Sequence, residues 1–330
     1  MSRERRDAVP AKVIDAHVHL WDLARRPQRW IDPATMSAIH RDFGLTDLHA
    51  AQAEAAIQTG ILVQVLNDPA ETDDYFWLAR DPALLGVIAW VDLLDPNVDA
   101  ALDALAAHPS GARLLGVRHQ ALAEPDPSGW LTAAGDGLGL RALARRGLPL
   151  DLILRPEHLA VAREVSGRHT DLVMVLNHAG KAPVAAGWDS PEARHWAPLV
   201  RGLARLPQVA CKLSGMTTMA DLATWTVADL RPFVEHLLAC FGPDRLLFGS
   251  DWPVSLRAGG YAATVTAART LVAELSDSEQ RAVLSGTAER IYHSHPMPSW
   301  SASSRYGSEP VTRTGPSTYF GPLPLPPAQS

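Results

Sequence analysis

Short apolar, β-branched runs recur along the chain, each followed by a longer Ala-, Leu- and Arg-rich stretch whose apolar residues return every three to four positions. The short runs predict strands at residues 13–17, 61–66, 86–91, 114–118, 150–154, 172–176, 209–213 and 245–249. The longer stretches predict helices at 46–59, 72–80, 98–107, 137–146, 156–169, 191–206, 227–241 and 261–275. Because the strand runs are apolar throughout instead of alternating with polar residues, they suit parallel strands covered on both faces. Pro156 and Pro191 fit a first helical turn, where a missing N–H costs nothing, and Asp95-Pro96 precedes another helix. Eight strand–helix alternations favour a closed (β/α)8 TIM barrel over an open sheet. Residues 276–292, with Ser276 as N-cap, read as a C-terminal helix on the barrel exterior.

After Tyr292 the chain turns to Pro, Ser, Gly and Thr and ends GPSTYFGPLPLPPAQS, with too few periodic apolar residues to bury a core. A disordered Pro/Ser-rich tail is expected there, as a solvated appendage in preference to a polyproline ligand. The chain thus divides into an N-terminal extension (1–11), a barrel domain (12–292) and the tail (293–330). Its 330 residues fit one barrel of about 250 plus extensions better than two domains. The formal charge of −6, with arginines scattered instead of aligned, speaks against a nucleic-acid partner. No run of about eighteen apolar residues occurs and the N-terminus has no apolar signal core, so the expectation is a soluble, cytoplasmic protein without a membrane partner. Cys211 and Cys240 are too few for a disulfide framework and read as buried thiols, one bridge remaining open. The sequence is silent on oligomeric state.

The candidate chemistry sits at strand ends. Asp15-Ala16-His17-Val18-His19 continues the first strand, and a period of two puts His17 and His19 on one face with Ala16 and Val18 on the other. Two imidazoles facing the same way at the C-terminal end of a barrel strand can share a divalent metal such as zinc. His178 follows strand six with the parity of Met174 and Leu176, taken as the inward face. Asp251 follows strand eight in Phe248-Gly249-Ser250-Asp251-Trp252-Pro253, where proline, with no N–H to donate, disfavours further pairing and the carboxylate is expected to face the barrel mouth. Arg118 and His119, ending strand four, supply a cation and an imidazole for a substrate; an ion pair of Arg118 with Asp151 is the alternative. Lys212 and Ser214 share a strand-seven face, with Lys212 pairing to Asp15 or Asp151 as its plainer role. The segment 21–43, with Trp21 and Trp30, emerges at the barrel top either as a substrate lid or as a packed loop.

The stretches VIDAHVHLW, GVRHQ, VLNHAGK, CKLSG and LLFGSDWPV, in that order, resemble the amidohydrolase-related family, and within it the sugar-lactone lactonase group of fuconolactonase-like and rhamnonolactonase-like proteins. The resemblance covers residues 12–292, and the order of the motifs is more specific than any one of them. It implies a hydrolase that opens a sugar (aldono) lactone or similar small-molecule lactone, with Asp251 taking a proton from the attacking water and His178 as the strand-six histidine. It further implies one divalent ion, zinc by donor type, held by His17, His19, His178 and Asp251, although some related lactonases are thought to work without one. Arg118, His119, Trp30 and Lys181 are the implied substrate contacts. Relatives with two metals bridge them through a carboxylated lysine after strand four; here strand four ends in Arg118-His119, so at most one metal is expected. The same resemblance leaves two alternatives, a metal-dependent nonoxidative decarboxylase of an aromatic or unsaturated carboxylic acid and a catalytically inactive binding barrel. GVRHQ and LLFGSDWPV look closer to the lactonase branch, and retention of every expected polar residue weighs against inactivity.

Overall fold

Each predicted strand becomes a stave of one barrel in the computed structural model, which describes residues 12–292. The N-terminal extension and the expected disordered tail lie outside the described residues. The strands are β1 (Ile14–Val18), β2 (Thr59–Val63), β3 (Leu84–Ala89), β4 (Leu114–His119), β5 (Leu150–Leu152), β6 (Met174–Leu176), β7 (Val209–Leu213) and β8 (Leu246–Phe248). They pair in parallel in the order β1 to β8, with helices between them, as a (β/α)8 TIM barrel requires. The barrel closes beyond β8: Val18 bridges Trp252 in parallel, the His19 N–H donates to the Trp252 carbonyl at 2.8 Å, and the Asp251 N–H donates to the His17 carbonyl at 2.9 Å. The closing seam therefore runs through the residues singled out for chemistry.

The helices are α1 (Leu45–Ala55), α2 (Pro69–Leu78), α3 (Val98–Ala107), α4 (Pro127–Asp136), α5 (Gly139–Arg146), α6 (Leu159–Arg168), α7 (Pro191–Ala204), α8 (Val227–Phe241), α9 (Gly260–Val272), α10 (Asp277–Arg281) and α11 (Thr287–Ile291). No helix is predicted over α4, which carries Gly129 and Gly135, residues that are unfavourable in a helix interior. It forms because Asp126 caps it by accepting the Gly129 N–H, Pro127 starts it, and Trp130, Leu131 and Ala134 bury one face.

Inside the barrel, Ile14, Ala16, Ile61, Val63, Ile88, Leu115, Val175, Ala210 and Leu247 form one apolar cluster, joined by Ala288, Ile291 and Tyr292. The exterior placement expected for the last helix is therefore corrected: α11 plugs the barrel bottom, because its apolar face has interior partners and the Tyr292 hydroxyl donates to Asp151. That carboxylate also accepts from Lys212 Nζ at 2.6 Å and Asn177 Nδ2 at 2.9 Å. Lys212 thus pairs with Asp151 and not with Asp15, and three donors offset the desolvation of a fully buried carboxylate.

The β1–β2 register runs Ile14 to Thr59, Asp15 to Gly60, then Val18 to Leu62. One extra residue sits in β1, a bulge. It corrects the strict alternation expected here: Ala16 belongs to the interior cluster while Val18 packs outward with Leu62, and His17 and His19 still face inward above it.

Candidate active site

The bulge aims two imidazoles at one point, with His17 Nε2 and His19 Nε2 3.1 Å apart. His19 Nδ1 lies 2.7 Å from the Val63 carbonyl, which can only accept, so the neutral ring carries its proton on Nδ1 and leaves Nε2 bare. His17 Nδ1 has no hydrogen-bond partner among the described residues, and the Arg118 guanidinium faces His17 Nε2 at 3.3 Å, which favours a bare nitrogen there as well. Two lone pairs facing each other at that distance repel unless a cation lies between them. Asp251 Oδ1 completes the set, 3.8 Å from His17 Nε2 and 3.6 Å from His19 Nε2. Donors spaced in this way fit a divalent ion such as zinc, with bonds of about 2.0–2.2 Å to nitrogen and carboxylate oxygen. His17, His19 and Asp251 are the compact metal-capable group among the described residues. His178 stands beside it, its Nε2 3.9 Å from Asp251 Oδ1 and its ring 4.5 Å from that of His17.

The protonation states match that donor set. Burial, with neighbouring His178 and Lys212 next, pushes His17 well below the ordinary imidazole range, and burial likewise lowers His19. Burial also takes His178 down to about 3. For Asp251 burial acts upward, but the His178 and His19 imidazoles and Lys181 outweigh it and hold the carboxyl at about 2. Near neutral pH the site is three neutral imidazoles around one carboxylate.

His178 reaches the cavity by a different route from the one its parity suggests. The Ser166 hydroxyl on α6 donates to Met174 Sδ, so Met174 and Leu176 face the helices, whereas Val175 and Asn177 face inside. His178 turns inward because the chain goes left-handed at His178 (φ 52°) and Ala179 (φ 50°). The Ser214 hydroxyl then holds it, 2.9 Å from Nδ1, while accepting its backbone N–H at 3.3 Å. Two glycines make room. A Cβ at Gly215 (φ +63°) would stand 2.8 Å from His178 Nδ1, and one at Gly249 2.8 Å from His17 Cβ. Asp15 Oδ1 ties the two ends of the seam by accepting the His17 and Ser250 N–H groups at 3.0 and 2.8 Å.

Arg118 lies inside, fully buried. Its Nε donates to Gln64 Oε1 at 3.3 Å, Nη2 to the Gln64 carbonyl, and Nη1 to Asn177 Oδ1 at 3.2 Å. Asn177 thus stands between Arg118 and Asp151, in place of a direct ion pair. The neighbouring His119 is not brought to the site. Adjacent strand residues face opposite sides, so His119 stacks on Trp130 (centroids 4.0 Å), accepts from Trp90 Nε1 at 3.1 Å and meets Glu124 at 2.7 Å.

A cavity of about 1270 Å³ opens over His19, His178 and Asp251, with Arg118, Trp30 and Lys181 in its walls. Segment 21–43 is both packed and cavity-lining: Trp21 pairs with Phe43, and Trp30 lies edge-on to Trp21 at 5.8 Å. Sequence reasoning missed Gln64, whose lone amide in the apolar run ILVQVL was the available signal. Among the described residues no helix is long and apolar enough to cross a membrane.

The sequence model of the Amidohydrolase family matches residues 14–293. The chain is 35% identical over 287 residues to L-fucono-1,5-lactonase of Burkholderia multivorans, covering 84% of this chain and 95% of that one. It is 34% identical over 253 residues to L-fucono-1,5-lactonase of Burkholderia ambifaria, covering 75% and 82%. A crystal structure of a Burkholderia multivorans amidohydrolase with bound zinc superposes with a TM-score of 0.76 at 33% identity, over 86% of this chain and 99% of that one.

Proposed function

Since this chain belongs to the amidohydrolase family, we propose that it is a lactonase, opening the ring of a sugar (aldono) lactone by attack of water on the carbonyl. The observation that carries this reading is the Asp251 carboxylate set among His17, His19 and His178 at 3.6–3.9 Å on the cavity wall. Similarity to two L-fucono-1,5-lactonases supports the substrate class.

Asp251, ionised near neutral pH, takes a proton as the water oxygen bonds to the acyl carbon. The carbonyl electron pair moves onto its oxygen. Ser214 Oγ lies 2.9 Å from Nδ1 and already accepts the His178 backbone N–H; with its hydroxyl hydrogen assigned to Nδ1, His178 carries its proton on Nε2 and can donate it as a hydrogen bond to that oxyanion. Collapse re-forms the carbonyl and breaks the bond from the acyl carbon to the ring oxygen, which receives the proton held by Asp251. The product is a hydroxy acid. Arg118, fixed by Gln64 and Asn177, keeps a positive charge behind His17 and adds to the field that favours negative charge in the cavity. A divalent ion, zinc by donor type, held by His17, His19 and Asp251, would supply Lewis-acid polarisation of the carbonyl and acidify a nearby water. Trp30 and Lys181 line the space where the rest of the substrate lies.

A panel of aldonolactones with a pH indicator, run before and after chelation, tests this. Acid release from 1,5- or 1,4-aldonolactones is the expected result, with activity lost on chelation and restored by zinc. Carbon dioxide release from aromatic or unsaturated acids with inertness toward every lactone would replace the reading by a decarboxylase.

A further inference from the structure

The cavity is larger than the about 300–1000 Å³ usual for a small-molecule site, and one wall of it is cationic. Lys181 follows β6, Arg155 follows β5 and Arg257 lies in the 3-10 turn Val254–Ala258 after β8, so three separate loops bring positive charges to one space. Among the described residues none of the three side chains makes an ion pair with a carboxylate within 4.0 Å, whereas other basic side chains such as Arg26, Arg146 and Lys212 do. Among the described residues the buried Arg257 Nε has no hydrogen-bond partner. Asp68, Glu157, Glu192 and Asp251 also line the cavity, but Asp68 pairs with Arg26, Asp251 sits among the imidazoles, and Glu157 and Glu192 are exposed without pairing to these cations. Lys181 feels the crowding: burial lowers its pKa, attraction to Asp251 opposes this, and Arg118, Arg155 and Arg257 add repulsion. Cations gathered in one cavity with no carboxylate in ion-pair contact are costly unless an anion joins them.

We propose that Lys181, Arg155 and Arg257 form a carboxylate subsite, so that the preferred substrate is a lactone carrying an acidic group beyond its ring. This rests on the lactonase reading and narrows it. Two guanidiniums can grip a carboxylate in a bidentate manner while the ammonium adds a point charge.

The test compares matched pairs, an aldonolactone and the aldarolactone in which its terminal hydroxymethyl group is a carboxylate. In the unmodified protein kcat/KM for the acidic member should exceed that of the neutral one by about tenfold or more, and Arg155→Gln/Arg257→Gln should lower that ratio about 30-fold, through KM. Arg155→Gln alone, at an exposed side chain, should move the ratio the same way by a smaller factor and guards against misfolding of the double variant. Equal preference in the unmodified protein, or an equal loss on both substrates in the variants, overturns the subsite. Calorimetry with tetrahydropyran-2-carboxylate against tetrahydropyran-2-methanol, neither of which has a lactone bond, separates the two readings. If no lactone is opened but the carboxylate binds more tightly and loses that advantage in Arg155→Gln/Arg257→Gln, lactonase activity fails and the subsite stands; if the two ligands bind alike, the subsite fails.

Discussion

Adding a single methyl group at Gly215 should disable the site while leaving the barrel standing. The added Cβ would come 2.8 Å from His178 Nδ1 and 3.3 Å from Asp251 Oδ2, where ordinary contact begins near 3.4 Å. His178 must therefore retreat by about 0.6 Å from the first contact, and its bond to Ser214 at 2.9 Å is lost or redirected. Gly215 also has φ +63°, where an L side chain costs about 1–2 kcal/mol. For a barrel of this size that shifts Tm down by only a few degrees. Misplacing a catalytic group by up to about 1 Å, in contrast, can cost about 100-fold in rate. Gly215→Ala, assayed for lactone opening alongside circular dichroism and thermal melting, should thus lose about two orders of magnitude in kcat with its far-UV spectrum unchanged. Turnover within about threefold of the unmodified protein would refute the reasoning that His178 must stand where Gly215 leaves room for it.

Two further predictions concern stability. Lys212→Met removes one member of the buried pair with Asp151 and leaves a carboxylate with only Asn177 and Tyr292 as donors; urea unfolding should show a loss of about 3–5 kcal/mol. A loss below about 1 kcal/mol would mean the pair is not the anchor of the barrel floor. The second follows from His178, whose folded pKa of about 3 lies below its ordinary 6.5. Between those values the unfolded chain binds a proton that the folded site does not, so stability rises with pH across that window and is lost as pH falls through it. In chelator, the urea midpoint should drop from pH 7 to pH 5, and His178→Asn should flatten part of that drop; an identical slope in the variant would contradict the assignment.

The strand-end chemistry was legible because H-x-H and the aspartate before Trp-Pro put ligand-capable side chains at the ends of apolar strands, where a barrel gathers its reactive groups. Face assignments were less secure. The one-residue bulge in β1 sends Ala16 inward, and no pattern in IDAHV announces it. His178 arrives by a left-handed turn and not by strand parity. At Arg118-His119 alternation allows only one side chain inside, and nothing local says which; the partners Gln64 and Asn177 for one, Trp90 and Trp130 for the other, come from distant strands and helices. Likewise α11 is a helix by its own sequence, yet its place under the barrel depends on Asp151, 141 positions away from Tyr292.

The proposed mechanism makes Asp251 the proton acceptor in lactone opening. Asp251→Asn keeps the size and burial of the side chain but cannot take that proton, and general-base loss typically costs about 100- to 10,000-fold. Steady-state turnover of the best aldonolactone by this variant should fall by that factor with the fold retained; turnover close to that of the unmodified protein would mean that Asp251 is not the base.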